Sequence, residues 1–198
     1  ASIVRDLLDF SRDHGDERAP TPIDDVIERT LSIVGGRIEK QGIRLEVEVE
    51  DLLPQVSGRA QQLQQVLLNL LRNGVEAQPD GGTIRVAAAA VEDGVEFCVE
   101  DRGEGVPADQ RETIFDPFVT TRERGTGLGL AIVDGVVRAH GGALEIASEP
   151  GIGSVFTIRF SWAVRRSMMA ACRKSEPLCR GVWVLALTSR NATAVYNG

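Results

Sequence analysis

The sequence predicts an α+β fold, a two-layer α/β sandwich with a mixed, mostly antiparallel sheet packed on three helices. Three observations carry this. First, the segments "IDDVIERTLSIVGGRIEK", "GRAQQLQQVLLNLLRNGVEA" and "GLGLAIVDGVVRAHGG" repeat apolar residues at steps of three and four, the helical period. Second, "GIRLEVEVED", "TIRVAAAAV" and "VEFCVED" carry strand patterns, clean alternation being clearest in the first. Third, the turn-forming "EDG" and the glycines of "ALEIASEPGIGSVFTIRF" fold strand patterns back on themselves as hairpins. One apolar face per helix and per strand calls for helices stacked on one sheet.

Taken in order, "SIVRDLLDFSR" places Ile3, Leu7, Leu8 and, loosely, Phe10 on one helical side, and it starts abruptly, as the end of a longer helix would. "DHGDERAPTP" is polar and proline-bearing, a linker over residues 15–22. The first full helix has Val26, Ile27, Thr30, Leu31 and Val34 at helical spacing. The strand after it points Ile43, Leu45, Val47 and Val49 one way. The strongest helix follows. Leu63, Val66, Leu67, Leu70 and Leu71 form its apolar stripe; Gln62, Gln65, Asn69, Asn73 and Glu76 form a polar stripe beside it. "PDGG" ends it. After the hairpin comes a long polar stretch, then a glycine run, a helix closed by a glycine pair, and the last hairpin.

The totals exclude several function classes. A net charge of −7 over 198 residues argues against a general nucleic-acid binder. No apolar run is long enough for a membrane span, and no signal peptide opens the chain. Cys98, Cys172 and Cys179 show neither metal-ligand spacing nor a disulfide framework, so a reducing, cytoplasmic setting is the default. The charge is unevenly placed. Residues 1–160 hold 16 basic and 28 acidic side chains; residues 161–198 hold 6 and 1. The tail also has both tryptophans, the tyrosine and two of the three cysteines, so two differently composed segments join near residues 160–162.

Four features carry chemistry. Asn69 and Asn73, at i and i+4, present two amides on one helix face. A neutral amide oxygen suits Mg²⁺ that keeps waters and is shared with phosphates, although two such amides are equally at home as surface or capping groups. "DRGEGVP" (residues 101–107) ends a strand with Asp101, whose carboxylate can accept from an exocyclic amine; Gly103 and Gly105 clear space for a flat ring, or form an ordinary turn. "ETIFDPFVTTR" (residues 112–122) flanks Asp116-Pro117 with Phe115 and Phe118, aromatics that fit either a movable lid or a buried loop anchor. Gly125, Gly127 and Gly129 bare the backbone just before a helix, where N–H groups and the helix dipole favour an anion, with Arg122 and Arg124 alongside. No Lys-Ser/Thr follows the last glycine, as a P-loop requires, and the run follows a loop instead of the strand of a dinucleotide fold.

In this order the four motifs resemble those of the ATP-binding catalytic domain of bacterial sensor histidine kinases, of the GHKL type. "NLLRNGVEA" is similar to the family's N box, "DRGEGVP" to its first glycine box, "IFDPFVTTR" to its F box and "GTGLGL" to its second glycine box; "RAHGGALEIASEPGIGSVFTIRF" is similar to the closing segment. The likeness covers roughly residues 20–161, and "FDPFVTT" looks most like the nitrogen-regulation and oxygen-sensing branch. The resemblance implies that ATP and Mg²⁺ bind here. Asn73 would coordinate Mg²⁺ with Asn69 assisting, Asp101 would bond the adenine amino group, and Gly103 and Gly105 would shape the adenine pocket. Residues 106–126 would form an ATP lid. Gly125, Thr126, Gly127, Leu128 and Gly129 would line the triphosphate, and Arg122 or Arg124 would contact the γ-phosphate. ATP-hydrolysing relatives such as gyrase carry a general-base Glu where Asn69 stands, so the resemblance implies phosphoryl transfer to a protein histidine over hydrolysis.

The implied organisation is residues 1–14 as the end of a dimerisation and phosphoacceptor helical domain, 15–22 as linker, 23–161 as the catalytic domain, and 162–198 as an atypical basic tail. Two readings of the tail stand: a genuine extra segment, poorly ordered or partner-binding, or a sequence artefact such as a shifted reading frame. Neither His14, in the linker, nor His140, in "RAHGG", sits in an acceptor context. The expected partners are therefore a histidine-bearing dimerisation domain outside this chain and a response regulator receiver, with homodimers formed only through the dimerisation helices of a parent protein that is itself free to be membrane-attached. Gly74 replaces the N box's usual alanine, a mild helix penalty. Two other functions fit parts of the pattern: a GHKL Ser/Thr kinase and a non-catalytic nucleotide-binding module.

Overall fold

In the computed structural model the described residues are 18–120, 125–163 and, as backbone only, 193–196. The N-terminal helical stretch, Arg122, Arg124 and nearly all of the basic tail lie outside them. In chain order the elements are β1 (Ala19–Thr21), α1 (Ile23–Lys40), β2 (Ile43–Val49), β3 (Val56–Gly58), α2 (Ala60–Glu76), β4 (Gly82–Val91), β5 (Gly94–Asp101), two 3₁₀ turns (Ala108–Gln110 and Thr113–Phe115), α3 (Gly129–Ala139), β6 (Ala143–Glu149), β7 (Gly153–Ser161) and β8 (Thr193–Tyr196).

The main sheet runs β2-β4-β5-β7-β6-β8. Only the β2/β4 pair is parallel; the other pairs are antiparallel. The expected mixed, mostly antiparallel sheet with three helices on it is the architecture found. The parallel pair follows from connectivity, since α2 provides the crossover from β2 to β4. Alternation sorts the two faces. Val86, Ala88, Phe97, Val99, Phe156, Ile158, Leu144 and Ile146 point to the helices and are all buried. On the helix side they meet Leu63, Val66, Leu67, Leu70 and Leu71, the predicted apolar stripe of α2. The opposite face carries ion pairs instead. Arg159 donates to Glu96 and Glu145 (2.6 and 2.7 Å), and Arg85 donates to Glu48 (2.6 Å) around a small patch of Ala87, Cys98 and Val155.

Part of the stretch expected as linker forms a strand. β1 pairs antiparallel with β3, and the Thr21 hydroxyl donates to the Gly58 carbonyl (2.9 Å). Pro20 is tolerated because this two-stranded ribbon gives it an edge position needing no N–H. The first residues after β7 are also tied down: the Trp162 N–H donates to the Asp93 carbonyl, and the Ala163 N–H to that of Gln55. β8 lies antiparallel along β6 at the far edge. Among the described residues no helix is long and apolar enough to cross a membrane.

Two contacts set how the helices meet the sheet. His140 caps the C-terminal end of α3; its Nδ1 bonds the Val136 carbonyl (2.8 Å) and its Nε2 accepts from the Arg59 N–H (3.0 Å), at the start of α2. One imidazole thus ties the two helices that flank the site. Gln78, just past α2, donates to the Gly74 carbonyl and accepts from the Thr83 N–H, fixing the turn into β4.

Candidate functional site

A cavity of about 520 Å³ opens where the C-terminal half of α2, the N-terminus of α3 and the end of β5 converge. The sequence puts each group there for a local reason. The α2 polar stripe runs beside its buried leucines, so Asn73 and Glu76 face out of the core on the side toward α3. Asp101 is the last residue of β5, on the sheet's helix-facing side, and is 6% exposed. Its Oδ1 accepts from the Gly103 N–H (2.9 Å), a local turn that orients the carboxylate.

The glycines of the two glycine-containing motifs serve different needs. A methyl on Gly103 would sit 2.5 Å from the Ala77 carbonyl oxygen, so Gly103 lets the loop pass against the end of α2. Gly105 has φ +67° and would clash with the Glu149 carbonyl. Gly127 has φ +66° and lies against the Phe118 backbone, where the Phe118 N–H donates to the Gly127 carbonyl (2.9 Å). Gly129 opens α3. A methyl there would crowd the Arg72 guanidinium (3.1 Å) and lie 3.7 Å from Asn73 Oδ1 and 3.9 Å from Asn69 Oδ1. The first turn of α3 therefore stands directly over both carboxamides.

Two observations give this junction its chemistry. No side chain caps the N-terminus of α3, so its first N–H groups and its positive dipole end face the cavity. The Asn69 and Asn73 amide nitrogens are buried without a protein partner. A buried polar atom is costly unless satisfied, and a turn of either carboxamide would present its N–H groups to an anion beside the start of α3. Their carboxamide oxygens also fit a hard cation. Among the described residues no cluster of three His, Cys, Asp or Glu could hold a metal, so a divalent ion here would keep waters and share ligands with a phosphate, the usual habit of Mg²⁺.

The predicted residues Asn73, Asp101, Gly105, Gly125, Thr126, Gly127 and Gly129 line this one cavity. Asn69 lies under Gly129, and Gly103 packs behind the wall. Leu128 is part of the same run and packs on the core; the Thr126 hydroxyl accepts from its N–H (3.4 Å). The two predicted lid phenylalanines part company: Phe115 is buried (6% exposed), while Phe118 is 71% exposed with φ +69°. Sequence reasoning missed Arg72 and Ser154 in the lining, while Val106 and Ile114 fall within the expected lid. Ser154 pairs opposite Asp101 between β5 and β7, a neighbourhood visible only once the strand register is known.

One cavity thus combines an uncapped helix end over two carboxamides with a buried strand-end aspartate. The chain belongs to the histidine kinase-, DNA gyrase B- and HSP90-like ATPase family, whose profile matches residues 58–163. The relatives it matches include named kinases. It is 36% identical over 156 residues to sensor histidine kinase ZraS of Escherichia coli, covering 79% of this chain and 34% of that protein. It is likewise 36% identical over 138 residues to sporulation kinase A of Bacillus subtilis, covering 68% and 23%. The chain thus spans about a third or less of these relatives. Among solved structures it resembles full-length ShkA in complex with AMPPNP (TM-score 0.71, 35% identity, 82% of this chain and 36% of that one). It also resembles the catalytic domain of histidine kinase ThkA (TM-score 0.68, 27% identity, 74% and 96%).

Proposed function

We propose that this chain is the catalytic domain of a sensor histidine kinase. It transfers the γ-phosphoryl group of Mg-ATP to a histidine on a dimerisation domain, for relay to a response regulator receiver. The observation that carries this reading is the pair of partnerless Asn69 and Asn73 amides beneath the uncapped start of α3. The AMPPNP bound by full-length ShkA, a structural neighbour, supports ATP as the ligand.

Each group then has a role. The Asp101 carboxylate accepts from the adenine amino group, and an N–H donor from Gly103 holds it in place. Gly105 permits the backbone bend beside it. The N–H groups of Gly127 and of the first turn of α3, with the helix dipole, stabilise negative charge on the phosphates. Asn73, assisted by Asn69, offers its amide oxygen to Mg²⁺, which would neutralise phosphate charge there. Arg122 or Arg124, outside the described residues, supplies the γ-phosphate contact. Position 69 bears a carboxamide, which takes no proton from water, so catalysis rests on positioning and charge, and the phosphoryl group goes to a better nucleophile than water. On this reading residues 1–14 are the end of the dimerisation helices, 23–161 the catalytic unit and 162–198 an appendage.

The test is phosphotransfer from labelled ATP to the parent protein's histidine-bearing dimerisation domain. Transfer of an acid-labile, base-stable phosphate supports the proposal. ATP binding with no transfer would favour a non-catalytic module, and an acid-stable phosphate on a protein hydroxyl would favour a Ser/Thr kinase.

A further inference from the structure

The loop from β5 toward α3 is anchored to the β6–β7 turn through Ser148 and Arg111, to which the sequence alone assigns no role. The Ser148 hydroxyl, wholly buried, donates its single proton to the Gly153 carbonyl (2.9 Å). Its lone pairs accept from the Val106 N–H (2.8 Å) and, since its own proton is engaged, from the Ser154 hydroxyl (3.0 Å). The Arg111 guanidinium, 9% exposed, donates to the Ser148 carbonyl oxygen. Further along, the Gly151 N–H donates to the Glu104 carbonyl (2.8 Å). One serine therefore gathers both ends of the segment, from Val106 through its hydroxyl and from Arg111 through its carbonyl. Between and after these anchors lie Pro107, Gln110 and Ile114, which line the cavity beside Asp101.

We propose that Ser148 and Arg111 are positioning residues for nucleotide binding, holding residues 104–115 as a fixed wall on the Asp101 side of the cavity. The wall ends where the buried Phe115 gives way to the exposed Phe118. Of the lid expected over residues 106–126, residues 106–115 are on this account a rigid jamb. This inference rests on the ATP reading for its ligand, and on geometry alone for its clasp. The far end of the wall, Thr113–Phe115, packs against α3, but the Ser148 clasp holds the end beside Asp101, so it bears on the base more than on the phosphates.

The experiment uses the whole chain in four forms: wild type, Ser148→Ala, Arg111→Gln and Arg111→Lys. Amide hydrogen exchange at Val106 and affinities for Mg-ATP and Mg-ADP are measured, with urea unfolding as the fold check. Ser148→Ala is expected to speed exchange at Val106 and to weaken ATP and ADP by the same factor, about threefold to tenfold for one lost buried bond. Arg111→Lys should recover part of what Arg111→Gln loses. Unchanged exchange at Val106 in a folded Ser148→Ala protein would overturn the clasp, as would a loss confined to ATP. If Ser148→Ala does not fold, the Arg111 pair decides: equal behaviour of the Lys and Gln variants overturns the proposal. If wild type binds neither nucleotide while Val106 exchange responds as expected, the ATP reading fails and the clasp stands.

Discussion

Gly127 and Gly129 look alike in "GTGLGL", yet substitution by alanine separates them. At Gly127, with φ +66°, an alanine in the left-handed region costs about 1–2 kcal/mol. Its methyl would also lie 2.4 Å from the Phe118 carbonyl carbon and 2.6 Å from its Cα, far inside contact distance. The strands of the loop must part, and the Phe118 N–H to Gly127 carbonyl bond goes with them, a further ~0.5–1.5 kcal/mol. The local cost is then about 2–3 kcal/mol, enough to open this clasp in most molecules. Phe118 is mostly exposed and no part of the core depends on it, so urea unfolding should change little while Mg-ATP affinity falls. Gly129→Ala crowds only the end of the flexible Arg72 side chain, 3.1 Å away, which can swing aside, and alanine suits the first turn of a helix. It should fold as well as wild type but place a methyl over both carboxamide oxygens, again lowering Mg-ATP affinity. Calorimetry with parallel urea melts reads both effects. Wild-type affinity in Gly127→Ala, or cooperative destabilisation of the whole domain by Gly129→Ala, would refute the assignment of these two glycines.

Other outcomes follow from the same geometry. Asp101→Asn should erode the preference for ATP over GTP, because an amide can present a donor where only an acceptor suits the adenine amine; an unchanged ratio in competition titrations would remove Asp101 from base recognition. Burial holds the His140 pKa below its ordinary 6.5, helped by nearby Arg18 and Arg59 and opposed by the Val136 carbonyl. The folded state thus keeps a neutral ring, so this group costs nothing above the unfolded value and destabilises as pH falls below it. Thermal midpoints of wild type should drop between about pH 7.5 and 5.5 more steeply than those of His140→Gln; parallel curves would count against a buried neutral imidazole. The dipole and amide account also predicts that Asn69→Ala weakens Mg-ATP more than adenosine, measured by competition, and equal losses would contradict it.

Much of this was legible in advance because it rests on local periodicity. The α2 leucine stripe and the asparagines beside it follow from one helical repeat, and the hairpins from turn residues and paired strand patterns. Asp101 and its glycines were readable because a strand end and a turn meet within three residues. What was not legible depends on contacts between distant segments. β1 and β3 are three residues each and have no period to detect; they exist because Thr21 bonds Gly58 and because His140 holds the start of α2 nearby. Ser148 and Arg111 are 37 residues apart, one in the closing segment and one between motifs, and neither position has a role there that the sequence reveals. That Gly127 is needed for its backbone angle and Gly129 for the space above two amides also depends on the packing of loop and helix. The split between Phe115 and Phe118 is of the same kind.

The central claim is that the α2 carboxamides, the start of α3 and Asp101 form one Mg-ATP site, and calorimetry of Asn73→Ala against wild type tests it most directly. The account predicts that wild type binds Mg-ATP in preference to Mg-GTP, and that Asn73→Ala folds normally but loses at least about tenfold in Mg-ATP affinity, the loss of a charge-assisted contact. Equal affinity in a folded Asn73→Ala protein would contradict it.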